Sequence, residues 1–283
     1  MKKLFLLIAV LCISASAFAS EANRIYLGFE GETYSYREPY MDGPMHLTAR
    51  KIGASLEWVG RSVLAATGLK ETDDNSFATF EVRYLNGKTD YDGFTWGGTP
   101  VSSKGWKDWY AEARVTLGQT YTVGNQFEIW PYMGFGYRYL LNDGSSVDAG
   151  SYKRISQYWY VPIGLKFQKD VNANFALTLT GEFDWLLAGK QATDLGALYP
   201  ALNSDYIYNF QPEGWGLRFG LKAEIQMNES IGFFLEPYYR FWKIQNSNLG
   251  ESEQSGGIYY TGIPMIEPFN ITKEAGIRAG FYF

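Results

Sequence analysis

Apolar residues recur at every second position in run after run of this chain, the spacing that places them on one face of a β-strand and their neighbours on the other. In the first run Ile25, Leu27, Phe29, Gly31 and Thr33 alternate with Tyr26, Gly28, Glu30, Glu32 and Tyr34. Further runs cover residues 52–58, 78–84, 109–117, 129–139, 159–167, 175–187, 215–225, 231–241 and 271–283, each setting Leu, Ile, Val, Phe, Trp or Ala against Glu, Arg, Lys, Thr, Tyr or Gly. The pattern predicts ten strands, with eight or twelve as the alternative counts. Residues 60–76 lose this parity after Gly60 and Arg61, and the sequence allows either a bulge or a short helix at the rim there. Pro131, Pro162 and Pro237 fall inside predicted strands, where each removes a ladder donor, and are read as bulges or rim positions.

The connections alternate in length. Long, Gly-, Asp- and Ser-rich stretches, 37–48, 86–105, 142 onward, 188–213 and 245–269, follow the odd strands, whereas those after the fourth, sixth and eighth are short. Extended loops on one side and tight turns on the other are the pattern of a transmembrane barrel with both chain ends on the short-turn side. In hydrocarbon every backbone donor and acceptor must be paired within the protein, since a bare one costs several kcal/mol, and only closure does this for strands. The fold class expected is therefore all-β, a closed antiparallel transmembrane β-barrel. Charge at the lipid midplane costs about 2–4 kcal/mol for each Arg or Lys, so the apolar set faces lipid and the charged set the lumen.

That lumen set is densest in the last four strands: Glu182, Asp184, Arg218, Lys222, Glu224, Glu236, Arg240, Glu274 and Arg278. A turn at Asn228, Glu229 and Ser230 sets Lys222 opposite Glu236 and Arg218 opposite Arg240. Two opposed arginines repel. Glu182 or Asp184 and Glu274 are therefore expected between or beside them. A barrel of ten strands is narrow enough to be filled by such side chains, and an ion-paired, packed lumen is favoured over a selectivity filter.

Composition adds to this picture. Phe, Trp and Tyr make up 18% of the chain, which suits aromatic girdles at two membrane interfaces. Met1, Lys2 and Lys3, an apolar run over 4–13, and Ala17, Phe18 and Ala19 read as a secretory signal, cleaved after Ala19, with the barrel spanning 20–283. Cys12, the one cysteine, lies in that apolar run, so no disulfide framework is expected. Loss of Lys2 and Lys3 takes the formal net charge from −5 to −7, which argues against nucleic acid as a partner.

The chain ends on alternating residues closing with Phe281, Tyr282 and Phe283. This resembles the closing strand of bacterial outer-membrane β-barrels, whose final Phe the barrel-assembly machinery reads. The resemblance implies a Gram-negative outer membrane as location, assembly contacts at Phe281 and Phe283, and outer-membrane lipid and lipopolysaccharide as surroundings, with a monomer expected.

In size the chain is also similar to the omptin proteases, whose catalysis uses an Asp-His pair on a late strand facing two acids. Around the seventh run stand Asp184, Asp194 and Asp205 but no histidine. His46, the one histidine, lies in the first outer loop and reads as a solvated loop residue. Lipid-modifying barrel enzymes likewise need a histidine as general base beside a serine. No catalytic residue, metal site or cofactor is therefore expected. Loop aromatics are the candidate binding residues, namely Trp96, Trp106, Tyr206, Tyr208, Tyr259 and Tyr260, since exposed rings give large contact area at small entropic cost. The function expected is a non-catalytic membrane protein with binding or structural outer loops. A narrow porin-like pore for small solutes is the alternative, and an omptin-like or lipid-modifying enzyme the third.

Overall fold

A computed structural model describes residues 23–39, 45–69, 74–94, 98–124, 126–148, 150–194, 206–254, 257–259 and 265–283, with the backbone alone for 251–254 and 257–259. The expected signal and its cleavage site at 1–19 lie outside the described residues. Ten long strands form the wall: β1 (Asn23–Glu38), β2 (Met45–Arg61), β3 (Ser76–Phe94), β4 (Pro100–Gln119), β5 (Phe127–Asp143), β6 (Lys153–Asn172), β7 (Phe175–Thr193), β8 (Gly214–Gln226), β9 (Gly232–Ile244) and β10 (Asn270–Tyr282). Each pairs antiparallel with the next. The last pairs with the first, Tyr26 opposite Tyr282 and Glu30 opposite Arg278, which closes the barrel. Ile25 and Phe283 exchange backbone hydrogen bonds of 3.1 and 3.0 Å at the seam.

Solvent exposure is inverted relative to a water-soluble domain. Phe29, Ile52, Leu117, Met133, Leu179, Phe219 and Ile277 are half or more exposed on the outside, while Arg83, Glu112, Asp184 and Glu274 are fully buried within. A membrane-spanning strand needs about 9–11 residues. The wall strands run from 13 to 20, so the wall continues past the hydrocarbon.

That surplus corrects the expected loops. The stretches 37–48 and 86–105 are largely paired strand: β1 and β2 meet out to Glu38 and Met45, and β3 and β4 out to Phe94 and Pro100. Tyr91 stacks flat on Trp106, with ring centroids 4.6 Å apart, and packing of this kind holds a hairpin together without a membrane around it. Between 188 and 213, β7 runs on to Thr193 and pairs with a short strand, Ile207–Gln211, which in turn pairs with Glu251–Gln254. Gly, Asp and Ser content concealed these pairings because it signals turns and says nothing of the residues between them.

Of the stretch 60–76, residues 62–69 adopt the short-helix alternative. Ser62 sits at φ 54° and opens α1 (Val63–Ala66). Asp74 accepts from the Ala65 and Ser76 amides at 2.7 and 2.9 Å, tying this turn to the rim. The prolines depart from expectation. Pro131 lies near the rim where β4 ends, but Pro162 and Pro237 lie mid-wall, in register with Asp184 and Ile277. A proline needs only that its missing N–H point where no acceptor is required, and no bulge forms at either one. The bulge in this part of the wall falls beside them, between Trp159 and Tyr160 on β6, with Leu187 as the extra residue on β7.

Leu221 faces outward near the middle of β8. Leu221→Arg is expected to lower the stability of the barrel in lipid vesicles by about 2–4 kcal/mol in urea titrations. The same substitution in a short-chain detergent micelle is expected to cost less.

Candidate functional site

The lumen is built in layers. Tyr26, Phe77, Trp130, Tyr132, Phe234 and Tyr282 form an aromatic floor at the end where the chain termini meet. Tyr158, Tyr160, Leu186, Trp242 and Ile244 form one layer toward the other end, and Tyr34, Tyr36, Met45, Leu47 and Trp106 a second. Inward glycines make room for these rings: a Cβ on Gly136 would overlap Tyr160, and one on Gly164 would overlap Tyr132. Much of the aromatic content expected at the girdles is thus interior. Girdle residues are present as well, in the outward stack of Tyr84, Trp109 and Tyr139.

Between the aromatic layers lies a continuous ionic network. The register at the eighth turn places Arg218 opposite Arg240. Arg218 donates from Nε to Asp184 at 2.6 Å, approaches Glu182 at 3.2 Å, and donates from Nη1 and Nη2 to Glu112 at 3.0 and 2.5 Å. Arg240 lies 3.8 Å from Glu274. The acids of flanking strands thus lie between and beside the two guanidiniums. Lys222 reaches across the lumen to Glu57 at 2.8 Å, and its hydrogen bond goes there although Glu236 lies on the adjacent strand. Glu236 accepts from Arg278 at 2.5 Å, and Arg278 also bonds Glu57 and Glu81, both at 3.1 Å. Glu224 accepts from Arg24 at 3.2 Å and from the Tyr26 hydroxyl at 2.7 Å.

The expected concentration of charge in the last four strands is too narrow. Glu30 and Arg83 form a buried pair, Lys51 forms an ion pair with Asp108 at 2.8 Å, and Arg114 donates to Glu182 at 2.5 Å. Arg138 on β5 pairs with Glu274 on β10, half the circumference away. Every wall strand contributes a charged side chain to the interior. The signal was available, since Glu30, Lys51, Arg83, Glu112 and Arg138 all occupy the charged parity of their runs. Within the network remains a polar cavity of about 70 Å³ lined by Glu57, Arg114, Lys166, Arg218 and Lys222 among others.

At the outer mouth Arg154 pairs with Glu267 and lies 3.3 Å from Glu38. The Tyr36 hydroxyl is 2.7 Å from Glu38 and 2.9 Å from Glu267. This cluster lies beyond the outward-facing charges Arg50, Lys88 and Lys273, outside the hydrocarbon span. Burial pushes the Glu267 carboxyl up to about 7, with Arg154 opposing and Glu38 adding to the rise.

The loop aromatics do not form one surface. Trp106 is buried inside the β3–β4 hairpin and donates to the Ser103 hydroxyl at 2.9 Å. Tyr206 and Tyr208 stack with centroids 6.2 Å apart, the latter beneath Lys190. Trp96, Tyr260 and the Tyr259 side chain lie outside the described residues. Phe281 and Phe283 are half exposed on the outer wall, and Phe281 packs edge-on against Phe233. His46 is in β2, opposite Arg37 and Asp92, and not in a loop as expected, because pairing runs to the hairpin tip.

No protein-family model and no curated protein matches the chain. Among solved structures it is similar to the outer membrane protease OmpT from Escherichia coli, at 9% identity and TM-score 0.56, covering 94% of this chain and 97% of that one. Its fold is that of the small bacterial outer-membrane β-barrels. The barrel is also matched by the translocator domain of the autotransporter NalP from Neisseria meningitidis (8% identity, TM-score 0.40, 98% and 95% covered). A third match is the outer membrane protein OprG from Pseudomonas aeruginosa (11%, 0.37, 92% and 93%). At these identities the likeness is one of fold. Of the acids around β7, Asp184 is buried against Arg218, Asp194 lies 4.0 Å from Lys153, and Asp205 is outside the described residues.

Arg138→Met would strand the Glu274 carboxylate inside the barrel. Such a change costs about 3–5 kcal/mol, toward the lower figure here because Arg240 remains beside it, and adding Glu274→Gln is expected to restore most of the loss in urea unfolding. For Glu267 the native state keeps its proton to a higher pH than the unfolded chain does. Its contribution is therefore present below the ordinary carboxylate range and lost as pH rises through about 7. Between pH 5 and 8 the wild type is expected to lose on the order of 2 kcal/mol more than Glu267→Gln, read from thermal midpoints in detergent.

Proposed function

We propose that this chain resides in the outer membrane of a Gram-negative bacterium as a non-catalytic barrel with a sealed lumen, its outer hairpins serving a binding or structural role at the cell surface. The observation that carries this reading is the pair between Arg138 and Glu274, whose strands stand half the circumference apart. Arg218 to Glu112 and Lys222 to Glu57 bridge four strands in the same way. Side chains that bond across the full width leave no water-filled path through the layer they occupy, where Tyr158 stands beside Arg138, and the aromatic floor lies below it. A solute would have to break several buried ion pairs to pass.

The absence of catalysis is supported by the partners of the interior acids. Glu112, Glu182, Asp184 and Glu274 all accept from or pair with arginine, so none is disposed as a free general base toward the outer opening. His46 stands at the outer end of β2, remote in the fold from the acids of β7. Passive assembly contacts at Phe281 and Phe283 fit their exposed position at the seam-side end of β10.

In planar lipid bilayers the wild type is expected to give no stepwise currents. Substituting Arg83, Arg138 and Arg218 together by alanine is expected to produce small steps. Stepwise wild-type conductance would establish the pore instead.

A further inference from the structure

Two cations of the lumen, Arg240 and Lys166, are not matched as the rest are. Among the described residues, every other cation that is buried or half-buried on the lumen face has a carboxylate oxygen within 2.8 Å. For Arg240 the nearest stands at 3.8 Å, on Glu274, and for Lys166 at 3.6 Å, on Glu57. Glu274 is bonded by Arg138 instead, and Glu57 by Lys222 and Arg278. The Lys166 ammonium donates no hydrogen bond to a described residue, and Arg240, only 8% exposed, donates a single long one of 3.4 Å to the Tyr110 hydroxyl.

Both side chains line the polar cavity of about 70 Å³ inside the network, although their strands, β6 and β9, stand three steps apart around the wall. The exceptions therefore meet in one place. A charge held out of water is costly unless a counter-ion touches it. The four carboxylates of the lining do not serve, because each is bonded to another cation: Glu57 to Lys222, Glu81 and Glu236 to Arg278, and Glu182 to Arg114. Donors, by contrast, are left over around the cavity. Nη1 of Arg114 comes no closer than 3.7 Å to Glu81, and Thr180, in register with Lys166, adds a hydroxyl to the lining.

We propose that this cavity binds one small inorganic oxyanion, phosphate or sulfate, between Arg240 and Lys166. The planar fork of a guanidinium suits two oxygens of a tetrahedral ion, and an ammonium adds a point charge toward a third. Size limits the ligand. A cavity of about 150 Å³ takes up a benzene, so one of half that volume admits a single inorganic ion and no organic phosphate. The inference rests on the reading of the lumen as closed in one respect: the ion is enclosed as the barrel folds and stays inside. It then supplies the counter-charge that Glu274 and Glu57 give to other partners, and it joins β6 to β9 through the interior.

The test folds full-length protein into zwitterionic micelles in low-millimolar phosphate, radiolabelled sulfate, bromide or gluconate at equal ionic strength, then removes free ions by gel filtration. Label retained per chain and the thermal midpoint are the readouts. One sulfate per folded chain is expected to remain and to leave on heat unfolding, with a higher midpoint in phosphate and sulfate than in bromide and gluconate. Arg240→Gln and Lys166→Gln are each expected to weaken binding about tenfold. In gluconate neither variant should melt below wild type, because an unmatched cation has been removed. Should Arg240→Gln not fold, Lys166→Gln carries the test, since its ammonium makes no hydrogen bond that the fold would lose. Equal midpoints in sulfate and bromide, or variants that retain sulfate and respond to it as wild type does, would each overturn the site. A midpoint raised by sulfate although the label washes out would support the site and overturn the closed lumen instead.

Discussion

A peptide group has nowhere to find a hydrogen bond inside a lipid bilayer except within its own protein, and the architecture of this chain follows from that restriction. Ten strands pair in sequence order and the tenth returns to the first, so no ladder edge is left in the wall. Closure then divides the side chains. Period-two geometry gives every strand two faces, and once one of them meets hydrocarbon the other must take all the charge. The inside of the barrel is polar because the outside has taken the apolar half.

A polar interior this narrow must satisfy itself. Charges removed from water cost several kcal/mol each unless matched by partners with good geometry, so a lumen holding Arg83, Arg138 and Arg218 needs acids within reach of each. Acids are present, often from distant strands: Glu112 for Arg218, Glu274 for Arg138, Glu57 for Lys222. Buried pairs of this kind add little to stability beyond what apolar packing would give, but they constrain geometry, because a shifted register would separate them. Cross-lumen pairing thus complements the turns, which set register between neighbours only. The inward tyrosines do the same through shape, since Tyr132 and Tyr160 fit only where Gly164 and Gly136 leave room.

Most of the wall was legible in the sequence, because alternation is a local property and the lipid constraint makes it strict. The sum rule at the Asn228 turn placed Arg218 opposite Arg240, and the strand count and order followed from parity and connection length. What was illegible depends on distance around the ring. Lys222 has Glu236 on the adjacent strand, yet its hydrogen bond goes to Glu57, because a side chain pointing into a narrow lumen meets the opposite wall as readily as its own. The outer hairpins were hidden for a different reason. Beyond the membrane both faces of a strand can be polar, so Thr89, Asp90 and Tyr91 carry no alternation although they are paired. His46, placed in a loop from its Pro and Gly neighbours, belongs to the same class.

The same partition bears on where this protein can interact with anything else. An interior charge that already has a partner is poorly available to a ligand, since the ligand must replace a bond made without loss of translational freedom. Most acids and arginines of the lumen are in that condition. The exposed cations of the outer wall, Arg50, Lys88 and Lys107 among them, are not so engaged. Under the proposed function, recognition is directed outward by the energetics of the fold. On that reading, charged groups of the lumen hold the wall together, and the groups left for a partner lie above the hydrocarbon.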